Sequence, residues 1–249
     1  MSTTRRIVII GATSAIAEHC ARLWVKEHPT ELILVARDST KVERIAADLR
    51  VRGAQSTVQT VPAQFLDEAA IAQTVDMLGA TPIDIVLIAH GSLPEQADCE
   101  RDLAACRAAL EVNAISPVLF AEAFARHFAR NGKGTLAIIG SVAGDRGRKS
   151  NYVYGAAKGL VERYAQGLQH RFAGTAVKVV LIKPGPTDTP MTASLKQGGA
   201  KLASVDSVAE AIVAAVEAGK AVLYVPGKWR VIMTVIRLMP AFIFNKLNI

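Results

Sequence analysis

Tyr154 and Lys158 stand four residues apart in the run Tyr154-Gly155-Ala156-Ala157-Lys158. On a helix that spacing puts both side chains on one face, so the ammonium can favour the phenolate through nearby positive charge. The pair is an acid poised to trade a proton. Ser141, thirteen residues earlier in Ile139-Gly140-Ser141-Val142, carries a hydroxyl that a separate strand end could bring beside the phenol. It would hold the oxygen of a carbonyl or an alcohol while Tyr154 supplies or removes the proton. This chemistry is carbonyl reduction or alcohol oxidation. A lone Tyr-x-x-x-Lys equally suits an amphipathic helix with a half-buried Tyr and a solvated Lys, so the surrounding elements have to discriminate.

Ile7-Val8-Ile9-Ile10 is a β-branched run without alternation, the mark of a strand buried on both faces of a parallel sheet. The same grammar recurs at 32–35, 83–89, 135–139 and 177–182, with a weaker strand over 55–61 and a short one at 223–225. Helical patterns fill the intervals, over 15–27, 39–52, 67–78, 100–131, 152–172 and 206–218. Strands alternating with helices predict an α/β fold, a Rossmann-type doubly wound parallel sheet. A chain of 249 residues without a composition break suits one large domain. That domain is expected over 1–226, with a substrate loop at 190–205 and a C-terminal apolar, basic helical tail over 227–249.

After the first strand comes Gly11-Ala12-Thr13-Ser14-Ala15-Ile16-Ala17. A tight turn of small residues lets a pyrophosphate approach the amide-rich, partly positive N-terminus of the next helix. Gly11, Thr13, Ser14, Ala15 and Ile16 are therefore candidate dinucleotide contacts. Ala15 and Ala17 stand where a Gly-x-x-x-Gly-x-Gly spacing would put glycines. Ala17 need only be small for helix-to-strand packing, whereas the Ala15 methyl holds the loop slightly off the phosphates, with the Thr13 and Ser14 hydroxyls as donors. The second strand ends Val35-Ala36-Arg37-Asp38. An acidic residue there would accept from a ribose 2′-hydroxyl, and an arginine would pair with a 2′-phosphate. Arg37 comes first, so NADP(H) is the preferred cofactor, with NAD(H) still open.

Twenty-nine Lys and Arg against 22 Asp and Glu leave a formal charge of +7, which suits an anionic partner: a phosphorylated cofactor, an acidic lipid surface or nucleic acid. The basic residues form no aromatic-interleaved patch, which argues against nucleic acid. No Cys/His spacing suits a metal, and Cys20, Cys99 and Cys106 are too few and odd in number for a complete disulfide framework. A reducing, cytoplasmic setting is the natural expectation. The apolar run after Arg5-Arg6 is too short for the core of a secretion signal.

Taken together, from 7 to 225, these residues resemble the classical short-chain dehydrogenase/reductase family. Gly11-x-x-x-Ala15-Ile16-Ala17 is a degraded form of its cofactor loop, and Ala89-His90-Gly91 stands where the family has Asn-Asn-Ala-Gly, His90 being a departure. Asn113, in Glu111-Val112-Asn113-Ala114, matches the family's helix asparagine. Ser141, Tyr154 and Lys158 match the other catalytic positions, and Pro184-Gly185-Pro186-Thr187-Asp188-Thr189 matches the loop that closes over the nicotinamide. The resemblance implies an NAD(P)-dependent oxidoreductase. Tyr154 would be the general acid in reduction, and Lys158 would lower its pKa and bond the nicotinamide ribose. Ser141 would orient the carbonyl, and Asn113 would connect Lys158 to solvent through a held water. Thr187 and Thr189 would contact the nicotinamide amide or pyrophosphate. Gln64 falls where many members have an adenine-binding Asp, with Phe65 beside it. Homodimers or homotetramers are usual.

In the last third, Asn151-Tyr152-Val153-Tyr154-Gly155, Lys183-Pro184-Gly185, the run 191–196 and the tail 229–247 are similar to the decaprenylphosphoryl-2-keto-ribose reductases, which reduce a 2-keto sugar carried on a polyprenyl phosphate. That likeness implies a keto sugar on a lipid phosphate as the substrate. A soluble or acyl ketone such as a 3-oxoacyl thioester keeps the same chemistry, and a non-catalytic NAD(P)-binding sensor or scaffold is the alternative of a different class.

The tail supplies its own argument. From Gly227 onward it crowds Trp229, Val231, Ile232, Met233, Val235, Ile236, Leu238, Met239, Phe242, Ile243, Phe244 and Leu247 among Lys228, Arg230, Arg237 and Lys246, with no acidic residue. Interrupted by Arg237 and Pro240, it falls short of the roughly 20 apolar residues that span a bilayer. Such a helix can lie in the interface, drawn by anionic lipid and anchored by Trp229, a peripheral placement at the inner face of the membrane. The alternatives are a cap on the substrate pocket and a dimer contact. The stretch 191–201 is expected to close over substrate, with Gly198-Gly199 permitting motion.

Overall fold

Alternate strand residues meet different helices, and the whole architecture follows from that division. The computed structural model describes residues 4–247. In chain order it runs β1 (Arg5–Ile10), α1 (Ala15–Glu27), β2 (Thr30–Ala36), α2 (Ser39–Arg52), β3 (Thr57–Pro62), α3 (Glu68–Leu78) and β4 (Ile85–Ile88). The second half continues with α4 (Gln96–Arg101), α5 (Leu103–Leu110), α6 (Ser116–Asn131), β5 (Lys133–Ile139), α7 (Tyr152–Arg171) and β6 (Ala176–Pro184). It ends with α8 (Ala193–Gln197), α9 (Val205–Glu217), β7 (Val222–Val225), α10 (Lys228–Leu238) and α11 (Ala241–Phe244).

The seven strands form one sheet in the order β3-β2-β1-β4-β5-β6-β7, and every neighbouring pair is parallel. Ile7 and Ile9 of β1 with Leu32 and Leu34 of β2 pack on α1, α2 and α9 through Trp24, Leu49 and Ile212. Val8 and Ile10 with Ile33 and Val35 face the other way, onto α3, α6 and α7 through Val75, Phe120, Phe124 and Leu168. Both sheet faces are covered, which is why the strands read as unbroken apolar runs. This is the single α/β domain with a doubly wound parallel sheet that the alternation predicts.

The helix expected over 100–131 is divided. Asp102 takes an extended conformation and its carboxylate accepts from Ala104 N at 2.8 Å, capping α5 and ending α4 before it. Between α5 and α6 the backbone widens into a π-helical turn, Glu111–Ile115. Pro117 follows it on the first turn of α6. A proline has no N–H and its ring crowds the carbonyl four residues back, here that of Asn113, and a π-turn relieves the clash. The stretch Leu103–Asn131 is long and apolar enough to cross a membrane by length and composition, yet its Phe120, Phe124 and Phe128 are fully buried against the sheet.

Candidate active site

The sheet order reverses between β1 and β4, and in open α/β sheets that crevice, beyond the C-terminal strand ends, is where ligands bind. Two adjoining clefts open there. Gly11 ends β1 at φ 82°, and a Cβ on it would lie 2.6 Å from the backbone nitrogen of His90, so glycine is required both by conformation and by space. Gly11 N and Ala12 N both donate to Val35 O, at 2.9 and 3.1 Å, fixing the turn against β2. Ser14 is the N-cap of α1 yet makes no side-chain capping bond, so its hydroxyl is free to face a ligand. One cleft is lined by Gly11, Thr13, Ser14, Ala15, Ile16, Arg37, Phe65, Ala89 and Gly91. Arg37 lies over the Phe65 ring at 5.9 Å, and the neighbouring Asp38 is spent on capping α2 through Lys41 N. Gln64 is exposed and lines neither cleft.

The second cleft holds Ser141, Tyr154 and Lys158 with Ser14, Ala89, Gly91, Pro184, Gly185, Thr187 and Thr189. Ser141 caps a short 3-10 turn, Val142–Asp145, its Oγ accepting from Ala143 N at 3.1 Å. That turn packs backbone to backbone on α7: a Cβ on Gly144 would meet the Lys158 carbonyl carbon at 2.8 Å, and one on Gly155 would meet Ala143 O at 3.0 Å. These glycines let the turn rest directly on the α7 backbone. Lys158 is 3% exposed, donates to Ile139 O at 3.1 Å, and stands 5.8 Å from the centre of the Tyr154 ring.

Burial, not the lysine, governs the phenol here. It pushes the Tyr154 pKa up, while the Ser141 hydroxyl pulls it down. Burial also draws Lys158 down to about 8. The Lys158 ammonium, itself desolvated and bonded to Ile139 O, is not among the groups that shift the phenol here. A phenol that holds its proton suits an acid.

Asn113 lies fully buried beneath the clefts and lines neither. The π-turn aims its Oδ1 at Ser92 N, 2.9 Å away, and its Nδ2 at Ala109 O, also 2.9 Å away. A Cβ on Gly91 would fall 2.9 Å from Asn113 Oδ1 and 3.6 Å from Lys158 Nζ, so Gly91 lies between the two. Thr187 is buried and gives its hydroxyl to Gly185 O at 3.0 Å, so it shapes the loop. Thr189 forms a capping box with Thr192. His90, the departure from the family pattern, donates or accepts at Ser116 Oγ at 2.8 Å and stacks edge-on with Phe65 and Phe120. Burial holds its pKa down at about 3, so it is neutral.

Lys183 enters the sequence reading only as part of Lys183-Pro184-Gly185, and its buried ion pairs are what that reading overlooks. At 1% exposure its ammonium sits 2.5 Å from Asp145 Oδ1 and 2.8 Å from Glu162 Oε2, and the Tyr224 hydroxyl donates to Asp145 at 3.1 Å. These contacts join β6, the Ser141 turn, α7 and β7. The available signal is a lysine inside the apolar run Val179-Val180-Leu181-Ile182-Lys183-Pro184, on a strand buried on both faces.

The tail turns inward at its start. Trp229 lines the Tyr154 cleft, and a Cβ on Gly185 would lie 2.0 Å from its indole nitrogen, so Gly185 makes room for the ring. The outward anchor expected of Trp229 is not formed. Arg146 Nη1 donates to Ile236 O at 2.6 Å and Met239 O at 2.5 Å, and its guanidinium lies 3.8 Å over the Phe244 ring, which ties the end of α10 to the Ser141 turn. Val231, Val235, Leu238 and Phe242 are exposed on the opposite side.

The family model described as short chain dehydrogenase matches residues 5–200. The chain belongs to that family. It is 33% identical to an uncharacterized oxidoreductase of Streptomyces coelicolor, over 98% of this chain and 96% of the relative. It is 31% identical to an uncharacterized oxidoreductase of Mycobacterium tuberculosis, over 97% of this chain and 96% of that one. A short chain dehydrogenase from Burkholderia cenocepacia solved in complex with NADP has the same fold, with a TM-score of 0.83 at 19% identity over 100% of both chains. The bulky-bulky ketone specific alcohol dehydrogenase from Comamonas testosteroni shares it too, with a TM-score of 0.80 at 22% identity over 98% of this chain and 95% of that one.

Replacing Lys183 with Met strands the Asp145 and Glu162 carboxylates in the interior. Breaking a buried pair in this way costs about 3–5 kcal/mol, so urea unfolding of Lys183→Met should show a loss of that size. A loss below about 1 kcal/mol, the range of an exposed pair, would show the network to be dispensable.

Proposed function

We propose that this oxidoreductase uses NADPH to reduce a ketone to a secondary alcohol, and that the ketone is a keto sugar carried on a polyprenyl phosphate. The observation that carries the reaction is the convergence of Ser141, Tyr154 and Lys158 in one cleft at the switch point of the sheet. The cofactor fits the residues present: a positive-φ glycine turn, a free Ser14 hydroxyl at a helix N-terminus, and a Gly91 wall without a Cβ. NADPH when bound supplies the hydride. Gly11, Thr13, Ser14, Ala15 and Ile16 would hold its pyrophosphate. Arg37, with its neighbour Asp38 engaged in the α2 cap, would take the 2′-phosphate, and Ala89, Gly91, Pro184, Gly185 and Thr189 would wall the nicotinamide. Two neighbours in fold were solved with NADP or NADPH, the Burkholderia cenocepacia enzyme and an actinorhodin polyketide ketoreductase variant.

In the reduction, the Ser141 hydroxyl holds the carbonyl oxygen and Tyr154 delivers its proton to that oxygen as charge develops on it. Lys158 holds positive charge beside the phenolate that remains. Asn113 fixes Gly91 and Ser92 beneath the lysine. The polyprenyl-phosphate reading is supported by the likeness of the tail and of the run 191–196 to keto-ribose reductases, and by apolar Leu93, Met191, Leu195 and Trp229 in the cleft. A membrane surface is supported by the exposed apolar side of α10 and α11 with its basic neighbours and no acid in the tail. An acyl ketone is the second reading, and the polyketide ketoreductase among the structural neighbours favours it.

Tyr154→Phe should lower kcat about 10²–10⁴-fold, the usual contribution of a positioned acid, while fluorescence titration still shows NADPH binding. Undiminished turnover would remove Tyr154 as the proton donor. A turnover screen of polyprenyl-phosphate keto sugars, 3-oxoacyl thioesters and simple ketones separates the substrates.

Because Lys158 loses its proton near pH 8 in the free protein, its attraction for a phosphorylated cofactor is present below that pH and fades above it. NADPH affinity should weaken as pH rises through about 8, and Lys158→Met should bind weakly with a flat profile. An identical slope in the variant would assign the titration elsewhere. Introducing Val235→Asp with Leu238→Asp should abolish sedimentation with phosphatidylserine vesicles and leave the fold intact; unchanged sedimentation would reject the membrane role of the tail.

A further inference from the structure

Arg146 and Arg148 are two residues apart and have opposite fates. Arg146 is consumed by the tail carbonyls and the Phe244 ring. Arg148 lines the Tyr154 cleft. Among the described residues its side chain makes no ion pair and no hydrogen bond, and its Nε is buried with no partner. Among the described residues Arg148 is the one arginine with a buried side-chain nitrogen that has no partner. A buried guanidinium nitrogen left unpaired costs free energy, which an incoming oxyanion would recover.

A second orphan stands beside it. Asn151 is the N-cap of α7, yet its side chain makes no capping bond, although an asparagine there ordinarily accepts from the first-turn amides. Its Oδ1 is buried without a partner, it lines the same cleft, and its backbone N–H donates to Arg148 O at 3.1 Å. Two unpartnered polar groups therefore share one wall, three residues before the Tyr154 phenol. Among the described residues no acidic side chain lines this cleft, and its only cations are Arg148 and Lys158. Lys158 is already engaged with Ile139 O, which leaves Arg148 as the cation available to substrate.

We infer that Arg148, with Asn151 beside it, is a specificity-determining seat for a substrate that carries an oxyanion, phosphate or carboxylate, next to a hydroxyl. The inference rests on the reading of this cleft as the substrate site of a carbonyl reductase. The planar guanidinium fork would take two oxygens of the anion, and the Asn151 amide would accept from a neighbouring hydroxyl. Phosphate esters, diesters included, and carboxylates meet this chemistry, and a neutral ketone does not.

The test is calorimetric titration of the full chain with the diester geranyl methyl phosphate, geranoate and geraniol, which share one apolar chain and differ in the head group. The wild type should bind at least one of the two anions about 10-fold or more tighter than geraniol, the scale of a charge-assisted bond. Arg148→Met should erase that preference and leave geraniol binding as it was, and Arg148→Lys should keep part of it. Arg148→Gln serves if the methionine variant does not fold. An equal affinity for all three in the wild type, or a preference untouched by Arg148→Met, overturns the seat. A preference for geranoate over geranyl methyl phosphate keeps the seat and removes the phosphate-linked substrate, so the two readings fail separately.

Discussion

One buried ammonium organises the catalytic half of this protein. Lys183 rises from the end of β6 into a space that water does not reach, and the carboxylates that neutralise it come from two different elements. Asp145 closes the turn that begins at Ser141, and Glu162 lies one turn of helix beyond Lys158 on α7. A charge in a low-dielectric interior must be met by charge and hydrogen bonds with good geometry. Satisfying Lys183 therefore pulls the Ser141 turn and α7 toward one point, and the distance between hydroxyl and phenol is set as a consequence. Tyr224 brings β7 into the same network, and α10, which carries Trp229, begins only a few residues later.

Charge draws these elements together, and missing side chains determine how near they come. Gly144 and Gly155 allow backbone to rest on backbone where the turn meets α7, and Gly185 leaves the volume that the Trp229 indole fills. The π-turn at Asn113 works in the same way from the other direction. Pro117 denies the helix a regular hydrogen bond, and the widened turn swings the amide of Asn113 toward Ser92 and the segment beneath Lys158. A local violation of helix geometry is concentrated next to the cleft, where such turns are frequently found.

The sheet and the shared face of Tyr154 and Lys158 are legible from residue pattern because the physics is local. A strand buried on both faces must be apolar throughout, and a helix face is defined by a spacing of four. What escapes the pattern depends on partners distant in sequence. Lys183 reads as an ordinary charge until Asp145 and Glu162, 38 and 21 residues away, are placed beside it. Trp229 suggests an interfacial anchor from its apolar, basic neighbours, and only the gap left by Gly185 shows that it turns inward. The break at Asp102 was available in principle, since an aspartate before Leu103-Ala104-Ala105 is a helix N-cap, but the apolar periodicity on either side masks it. A spacing of four puts the phenol and lysine on one helix face, but it carries no information on their protonation, because desolvation depends on everything packed around them.

The geometry of the tail bears on how substrate reaches the acid. α10 presents Trp229 to the cleft and Val231, Val235 and Leu238 to the outside, so a single helix forms a wall of the pocket and an apolar surface at once. Arg146 fixes that helix by its last carbonyls to the turn that carries Ser141, so displacement of α10 would be felt at the Ser141 hydroxyl. α8, on the other rim, is held by the Lys196–Asp188 pair at 2.6 Å, which is largely exposed and so worth little. Of the two rims, the α8 side is the weaker one. Met191 and Leu195 on the α8 side and Trp229 on the α10 side therefore line one cleft between a weakly held rim and a firmly held one.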